Sequence, residues 1–136
     1  MARVPKSVLV VNSNRVCRLL LGLILEEKGF EVVTAPSGQA ATLALEEASF
    51  DAILVDRVLS DMDGLAWLRD LREAGVSIPA IVRSDAGVNL GFDELADLGA
   101  VAMHPRARSS RDILALVNGV CDGEVGARRA RAPVWA

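Results

Sequence analysis

The sequence has few of the residues that form disulfides, zinc sites or aromatic clusters. Its 136 residues include two cysteines, one histidine and no tyrosine. Cys17 and Cys121 are far apart, and neither belongs to a Cys-x-x-Cys motif or to a cluster of cysteine and histidine. We therefore expect two reduced, buried thiols, and neither a disulfide framework nor a zinc site.

Charge of one sign and long apolar runs are also scarce. Fifteen basic and eighteen acidic residues leave a formal net charge of −3, which excludes a nucleic-acid binder that works by bulk charge. The longest apolar run, residues 19–25, contains Gly22 and is far shorter than the roughly 20 residues that span a membrane. Residues 1–7 lack the apolar stretch of a signal peptide, so we expect a cytoplasmic protein with neither nucleic acid nor a membrane as partner.

Short β-rich runs alternate with longer helical patterns five times along the chain. This order predicts a parallel sheet with helices on both faces. The predicted strands are 7–11, 31–34, 51–56, 78–83 and 101–103, and the predicted helices are 15–29, 38–49, 65–74, one that begins near 92 or 93, and 110–121. The length suits one domain over residues 1–121. Residues 122–136 carry Arg128, Arg129 and Arg131 and are expected to form a short, flexible basic tail.

The ends of the predicted strands indicate where a site would lie. In an open α/β sheet, ligands bind beyond the carboxyl ends of the strands. The polar residues there are Asn12, Ser13, Asp56, Ser84, Asp85 and His104. Asp56 is the most informative, because a carboxylate at a strand end can accept a phosphoryl group as an acyl phosphate. The same residue can also be a solvated aspartate that closes a strand.

A series of motifs, in order, resembles the receiver domain of two-component response regulators. The motifs are VLVVNSN (8–14), GFEVV (29–33), APSG (35–38), DAILVD (51–56), DG (63–64), PAIVRS (79–84), GA (99–100) and HP (104–105). The resemblance covers residues 7–121. It implies a flavodoxin-like α/β fold, a doubly wound parallel sheet of strand order 2-1-3-4-5, and a signalling domain rather than an enzyme.

The resemblance also implies roles for single residues and for partners. Asp56 would receive phosphate from a histidine kinase or a phosphotransfer protein and pass the signal to an output protein. Asp63 and Gly64 match the turn before the third helix, and the Ser84 hydroxyl matches the group that hydrogen-bonds the phosphoryl oxygen. The backbone carbonyl of Val58 would be a ligand of Mg²⁺.

The sequence departs from the family at the metal site. Asn12 and Ser13 replace the two acids that hold Mg²⁺, which leaves Asp56 as the aligned anion. Mg²⁺ prefers anionic oxygen ligands in an octahedron. Weak binding of Mg²⁺ is therefore expected, and phosphoryl transfer that depends on this cation should slow with it.

Three further positions around this site are unusual. His104 replaces a lysine, so a permanent cation becomes a group with an ordinary pKa of about 6.5. Asp85 follows Ser84, where a small residue is usual, and would either repel a phosphoryl group or take over part of the metal site. Arg83 lies in an apolar strand and should either pair with Asp56 or Asp85 or reach solvent at the strand end.

Three interpretations remain open. In the first, Asp56 is a working phosphoacceptor, and Asp85, Asp61 or Asp63 supplies the missing negative charge. In the second, the chain is a degenerate receiver that binds proteins and switches without phosphate. In the third, it is an unrelated flavodoxin-like cofactor binder, which the absence of a glycine-rich phosphate loop after the first strand disfavours.

The helices give three more predictions. On a helical wheel, the first helix should bury Val16, Cys17, Leu20, Leu21 and Ile24, with a polar stripe of Arg15, Arg18, Gly22 and Glu26. Leu19, Leu23 and Leu25 would remain partly in water unless Leu116 and Val120 cover them, and this predicts a homodimer or a contact with another partner through the first and last helices. Trp67 should be a partly buried packing residue. The glycines at 87 and 91 should delay the fourth helix to Phe92 or Asp93, and the fifth strand lacks an aromatic switch residue.

Overall fold

A computed structural model describes residues 5–84, 92–103 and 110–121 of the chain. Five parallel strands form one sheet of order β2-β1-β3-β4-β5. The strands are β1 Ser7–Val11, β2 Glu31–Ala35, β3 Ala52–Asp56, β4 Ala80–Arg83 and β5 Ala100–Met103, and the helices are α1 Arg15–Glu27, α2 Gly38–Glu47, α3 Gly64–Glu73, α4 Phe92–Asp97 and α5 Ser110–Cys121. The predicted doubly wound fold is confirmed.

Helices cover both faces of the sheet, which explains why the central strands are continuously apolar. Successive side chains of β1 enter opposite cores: Leu9 packs with residues of α2, α3 and α4, and Val10 packs with residues of α1 and α5. Ile53 and Leu54 of β3 divide in the same way. Two apolar cores therefore hold the sheet from both sides and fix its carboxyl edge in place.

Side-chain oxygens cap three of the helices. Asn14 Oδ1 accepts from the Cys17 N–H at the start of α1, and Ser37 Oγ accepts from the Ala40 N–H at the start of α2. Asp63 Oδ1 accepts from the Leu65 N–H at the start of α3. These caps satisfy backbone donors that the helix itself leaves unpaired.

Some predicted bounds are too long. Strand β4 begins at Ala80 rather than at residue 78, because Pro79 has no N–H to donate to the ladder; its carbonyl accepts from the Ile53 N–H at 2.9 Å. Helix α2 ends at Glu47 rather than near residue 49, and Ala48 is an exposed C-cap with extended backbone.

The predicted orientation of α1 is partly wrong. Leu21, Gly22 and Leu25 are buried, whereas Val16 and Leu20 are 66% and 54% exposed. The helix turns Gly22 toward β2. A Cβ on this residue would be in ordinary van der Waals contact with Thr34 Cγ2, at 3.6 Å, and with Val32 Cγ1, at 3.8 Å. Because α1 is apolar nearly all round, a helical wheel cannot identify its buried face. Packing on β2 determines that face instead.

The structure tests several smaller predictions. Trp67 is more deeply buried than expected, at 3% exposure. Cys17 and Cys121 form no disulfide, as expected, but they are only half-buried. Helix α4 begins at Phe92, as predicted, and the loop predicted before it lies outside the described residues, as does the tail. Among the described helices, none has the length and apolar character needed to cross a bilayer.

Candidate functional site

The strand register brings three of the predicted site residues to one edge of the sheet. Val11 is paired with Val55, so Asn12 and Asp56 follow side by side. Asp56 is itself paired with Arg83, and Ser84 comes next in the chain. The carboxyl ends of β1, β3 and β4 thus form the candidate site. Asp85 and His104 lie outside the described residues.

Asp56 and Arg83 form an ion pair at the centre of this edge. The distance from Arg83 Nη1 to Asp56 Oδ2 is 3.4 Å, and the two side chains are 29% and 15% exposed. The Arg57 N–H also donates to the Arg83 carbonyl at 2.7 Å, which extends the pairing of β3 with β4 past Asp56. Of the two interpretations of Arg83, the ion pair with Asp56 is the observed one.

The Asn12 side chain is turned toward the start of α1. It is buried, with 1% exposure, and its Oδ1 accepts from the Asn14 N–H at 2.8 Å. The Asn12 carbonyl accepts from Arg18 Nη1 at 2.9 Å. Asn12 therefore stabilises the turn from β1 into α1, and its amide oxygen already has a donor.

Ser13 joins two neighbouring loops. Its Oγ donates to the Pro36 carbonyl at 2.8 Å and accepts from the Ser60 N–H at 2.8 Å. Pro36 precedes α2, and Ser60 lies in the loop between β3 and α3. One hydroxyl thus holds both loops against the end of β1.

Asp61 binds the first turn of α2. Its two carboxylate oxygens accept from the N–H groups of Gly38 and Gln39, both at 3.0 Å. These two bonds, the one from Gly38 first, lower the pKa of Asp61 from its ordinary value of 3.8. An anion at a helix N-terminus is also favoured by the helix dipole. The Asp61 carboxylate is thus directed to α2.

Asp63 is engaged at the start of α3. Besides capping the helix, its Oδ2 lies 3.5 Å from Arg57 Nε. Val58, whose carbonyl was the expected metal ligand, is 69% exposed and forms an isolated antiparallel bridge with Asp63. The acidic loop is therefore held by contacts within itself and with α2 and α3.

Gly64 fits closely against the backbone of Asp56. A Cβ on Gly64 would clash with the Asp56 carbonyl oxygen and would lie 3.1 Å from Arg57 Cα. The Gly64 N–H donates to the Arg57 carbonyl at 2.6 Å. A residue without a side chain is required here, because neither contacting atom belongs to a flexible group. This explains the Asp-Gly pair in the turn before α3.

A family of known proteins matches this chain over most of its length. A family model described as the response regulator receiver domain matches residues 8–118, which include all ten elements except the first residue of β1 and the last turn of α5. The chain belongs to this family. Receiver domains are signalling modules of two-component systems, in which response regulators interact with histidine kinases and output domains.

Curated relatives are larger than this receiver chain. It is 29% identical over 113 residues to the transcriptional regulatory protein CpxR of Klebsiella pneumoniae, with 83% of this chain and 48% of that protein covered. It is 28% identical over 117 residues to the alkaline phosphatase synthesis transcriptional regulatory protein PhoP of Bacillus subtilis, with 85% and 48% covered. The chain therefore spans about half the length of these two relatives.

Solved receiver structures share the fold. The chemotaxis response regulator CheY4 of Vibrio cholerae superposes with a TM-score of 0.76 at 22% identity, over 86% of this chain and 99% of that one. A CheY-like receiver domain from Methanospirillum hungatei gives a TM-score of 0.74 at 20% identity, over 89% and 97%. At this identity the similarity supports the fold alone.

Receiver domains typically bind Mg²⁺ in an acidic pocket, and the described residues of this one do not fit that ion. They contain no group of three or more acidic, histidine or cysteine side chains that could hold a metal. Among the residues that the structure describes, the site has one carboxylate, Asp56, with a guanidinium beside it. A fixed cation next to the single anionic ligand opposes a second, divalent cation.

The loop contacts of this receiver domain are the part that the sequence did not reveal. Asp61 was a candidate for supplying negative charge at the site, and no local motif relates it to the backbone of residues 38 and 39, which are more than twenty positions away. Arg72, whose buried guanidinium donates to three backbone carbonyls, was also not predicted from the sequence. Arg72 lies four residues after Leu68 on the buried face of α3, and an arginine on that apolar stripe could have indicated a buried, hydrogen-bonded guanidinium.

Proposed function

We propose that Asp56 accepts a phosphoryl group and that Arg83, rather than Mg²⁺, supplies the positive charge beside it. The observation that carries this proposal is the ion pair at the carboxyl edge, with Arg83 Nη1 3.4 Å from Asp56 Oδ2. Asp56 has the position of the phosphoacceptor in the receiver family, and the β3–β4 register keeps Arg83 next to it.

The chemistry needs an acyl phosphate or a phosphohistidine as donor. A carboxylate oxygen of Asp56 attacks phosphorus and forms a new O–P bond, while the bond from phosphorus to the donor oxygen or nitrogen breaks and its electron pair leaves with the donor. Charge develops on the equatorial phosphoryl oxygens. A guanidinium is permanently charged and its planar donors match phosphoryl oxygens, so Arg83 can stabilise that charge.

Little Mg²⁺ is expected to bind, because the polar groups nearby are already engaged. Asn12 Oδ1 accepts from the Asn14 backbone, Ser13 Oγ joins two loops, and Asp61 caps α2. Each would have to give up these bonds to coordinate a metal ion. These contacts support a weakened site and disfavour Asp61 as a compensating ligand. The contacts of Asp63 with the Leu65 N–H and Arg57 disfavour Asp63 in the same way. Asp85 stays a candidate for that role.

Two further residues complete the proposal. Ser84 follows Arg83 and is buried, with 6% exposure, and its hydroxyl would hydrogen-bond a phosphoryl oxygen on Asp56. His104 would contribute a titratable cation from the end of β5. A histidine kinase or a phosphotransfer protein would be the donor, an output protein would read the state, and a cytoplasmic location is the matching prediction.

A second function is favoured by the same ion pair. With Arg83 already bound to Asp56, the carboxylate has a cation in place without any phosphate. In this version the domain is a phosphate-independent receiver that works only as a protein-binding module. The two functions differ in whether Asp56 reacts with a donor.

Labelling with acetyl phosphate distinguishes the two functions. The protein is incubated with this donor in 10 mM Mg²⁺ or in EDTA, and intact mass spectrometry measures the fraction with one added phosphoryl group (about 80 Da). We expect labelling in both conditions, at rates within about threefold, and none in Asp56→Asn. Asp51→Asn is the control for loss of an exposed aspartate at the other end of β3.

The Arg83 variants complete this test. Arg83→Gln should slow labelling by at least tenfold, and Arg83→Lys should retain more of the rate than Arg83→Gln. Absence of labelling in both conditions would support the phosphate-independent module. Faster labelling of Arg83→Gln would mean that the guanidinium blocks Asp56, and labelling only with Mg²⁺ would contradict the role of Arg83.

A further inference from the structure

The outer face of α1 is a continuous apolar stripe. Val16, Leu19, Leu20 and Leu23 are 66%, 50%, 54% and 62% exposed, and their spacing of three and four residues places them on one side of the helix. The other exposed large hydrophobic residues in the described part of the chain, Val33, Leu43 and Val58, belong to other elements. A contiguous apolar patch of this kind marks a binding surface, whereas scattered exposed residues do not.

Neighbouring elements leave this stripe uncovered. The inner face of α1 packs on β1 and β2, and its buried residues Leu21 and Leu25 belong to the core that α5 shares. In α5, Ile113, Val117 and Val120 are themselves buried in that core. The last helix therefore supplies neither a cover for the stripe nor, in its described residues, a large exposed apolar side chain of its own.

The charges that flank the stripe are opposite to those a helix favours. Arg15 is in the first turn of α1 and Glu26 in the last, both exposed, and this helix has no acidic residue in its first turn and no basic residue in its last. The helix dipole favours the reverse arrangement, by about 0.3–1 kcal/mol for each charge. Within the described residues neither side chain has an ion-pair partner. Such a pattern is compensated if a second helix brings opposite charges to each end.

We propose that the stripe binds a second copy of this chain, through antiparallel packing of α1 on α1 about a two-fold axis. The stripe is centred between Leu19 and Leu20. From this centre Arg15 lies about 7 Å toward one end of the helix and Glu26 about 10 Å toward the other, at 1.5 Å per residue. In an antiparallel pair, Arg15 of one copy and Glu26 of the other thus lie within about 3 Å along the helix axis.

The angular positions of Arg15 and Glu26 around the helix also fit this pairing. Arg15 and Glu26 are eleven residues apart, which is within about 20° of three full turns, so they flank the stripe on the same side. A two-fold axis between antiparallel helices keeps that side aligned in both copies. At an interaxial distance of about 8–10 Å, an arginine side chain reaches the facing glutamate, and the contact occurs twice. Parallel packing would instead put Arg15 level with Arg15 and Glu26 level with Glu26 of the other copy, so no opposite charge would face either side chain.

The small size of the surface sets the expected strength. Helix α1 has 13 residues and is about 20 Å long, so one helix pair buries less than the roughly 1,200 Å² of a standard stable interface. We expect a weak dimer with a dissociation constant in the range of about 10–100 μM. The stripe contains none of the residues of the candidate site, so the inference goes beyond the proposed function and does not depend on it.

Sedimentation velocity of the full chain from about 5 to 500 μM tests the apolar part of the interface. The unchanged protein should shift from monomer to dimer across this range. The variant Leu19→Glu/Leu23→Glu should stay monomeric. Leu43→Glu is the matched control, because Leu43 is a 54% exposed leucine on α2 and its substitution should leave the dimer intact. Circular dichroism checks that every variant is folded.

A charge exchange tests the antiparallel geometry. Arg15→Glu and Glu26→Arg should each weaken dimerisation at least tenfold, since each places like charges together twice. The double variant Arg15→Glu/Glu26→Arg should restore it to within about threefold. A monomer at 500 μM overturns the proposal, as does equal weakening by Leu43→Glu or a double variant that is no stronger a dimer than the single variants.

Discussion

At the scale of single residues, side chains that reach across loops hold the site edge together. Ser13 and Asp61 each connect the loop after β3 to the segment that leads into α2. Arg72 joins the segments that precede β4 and β5, at the opposite edge of the sheet, where its guanidinium donates to the carbonyls of Leu98, Val76 and Ile78 at 2.6–2.9 Å. Burial lowers the pKa of Arg72 to about 10, so it remains charged at neutral pH.

The lowered pKa of Asp61 predicts a pH-dependent contribution to stability. A carboxyl whose pKa is lower in the folded state than in the unfolded state stabilises the fold above the unfolded pKa, and this contribution is lost as the pH falls through the folded pKa. Asp61→Asn should therefore lower the urea midpoint at pH 7. The difference in urea midpoint between the variant and the unchanged protein should narrow as the pH falls below about 4. The reason is that Asp61 becomes neutral as the pH falls through its folded pKa, whereas the amide of the variant is neutral throughout.

Asp70→Asn is the control for this measurement. Asp70 is an exposed aspartate on α3 with no side-chain hydrogen bond in the described residues. Its substitution should leave the urea midpoint nearly unchanged at both pH values. A gap for Asp61→Asn that stays constant between pH 7 and pH 3 would show that the charge of Asp61 does not stabilise α2.

At the scale of elements, two helices begin with a glycine for different reasons. Gly38 and Gly64 are the first residues of α2 and α3. A Cβ at Gly38 would meet the flexible end of the Met62 side chain, with Sδ at 2.5 Å, whereas a Cβ at Gly64 would meet the backbone of Asp56 and Arg57. Met62 can move to another rotamer, but the backbone at the end of β3 cannot move without displacing the site.

Alanine at these two positions should therefore give different results. Both variants gain similar helix propensity, so the comparison isolates the steric cost. We expect Gly64→Ala to lower the free energy of unfolding by about 2–3 kcal/mol, as for an overpacked site, and Gly38→Ala by less than about 1 kcal/mol. Urea denaturation measures both. Equal losses would mean that the backbone near Asp56 adapts as readily as Met62.

Sequence patterns predicted the positions of the strands and helices but not which face of every helix is buried. The strands could be placed because buried parallel strands are apolar runs, and the starts of α1 and α2 could be placed because Asn14 and Ser37 have side chains that cap helices. The buried face of α1 could not be placed, because leucines surround the helix. Its orientation depends on how α1 packs on β1 and β2, which is a tertiary contact that local spacing does not encode.

At the scale of the whole molecule, the strand order explains how much of the site was predictable. Once a doubly wound sheet is assumed, Asn12, Asp56 and Ser84 must lie at one edge, because they follow strands that end there. The partners of the side chains could not be derived in this way. Asp61 was a candidate for the site and instead caps α2, and only the three-dimensional position of the loop decides that contact.

The change in melting temperature on addition of Mg²⁺ should show how well the site binds this ion. A ligand that binds only the folded state stabilises it by RT ln(1 + [L]/Kd), about 2.7 kcal/mol at 100 times Kd. The described donors do not fit the ion, so 10 mM MgCl₂ should raise the melting temperature by less than about 1 °C over NaCl of equal ionic strength. In Asn12→Asp/Ser13→Asp, two carboxylates join Asp56, and the rise should reach several degrees.

The rise in temperature, rather than the melting temperature itself, is the proper measure of this double variant. Replacing Ser13 removes a hydroxyl that joins two loops, so the variant should melt lower without the metal. Adding Asp56→Asn to the double variant should abolish the rise, because one of the three anions is then lost. A rise of several degrees in the unchanged protein would contradict the weakened site and would identify Asp85 as the residue to substitute next, since it is the remaining acid beside Ser84 in the sequence.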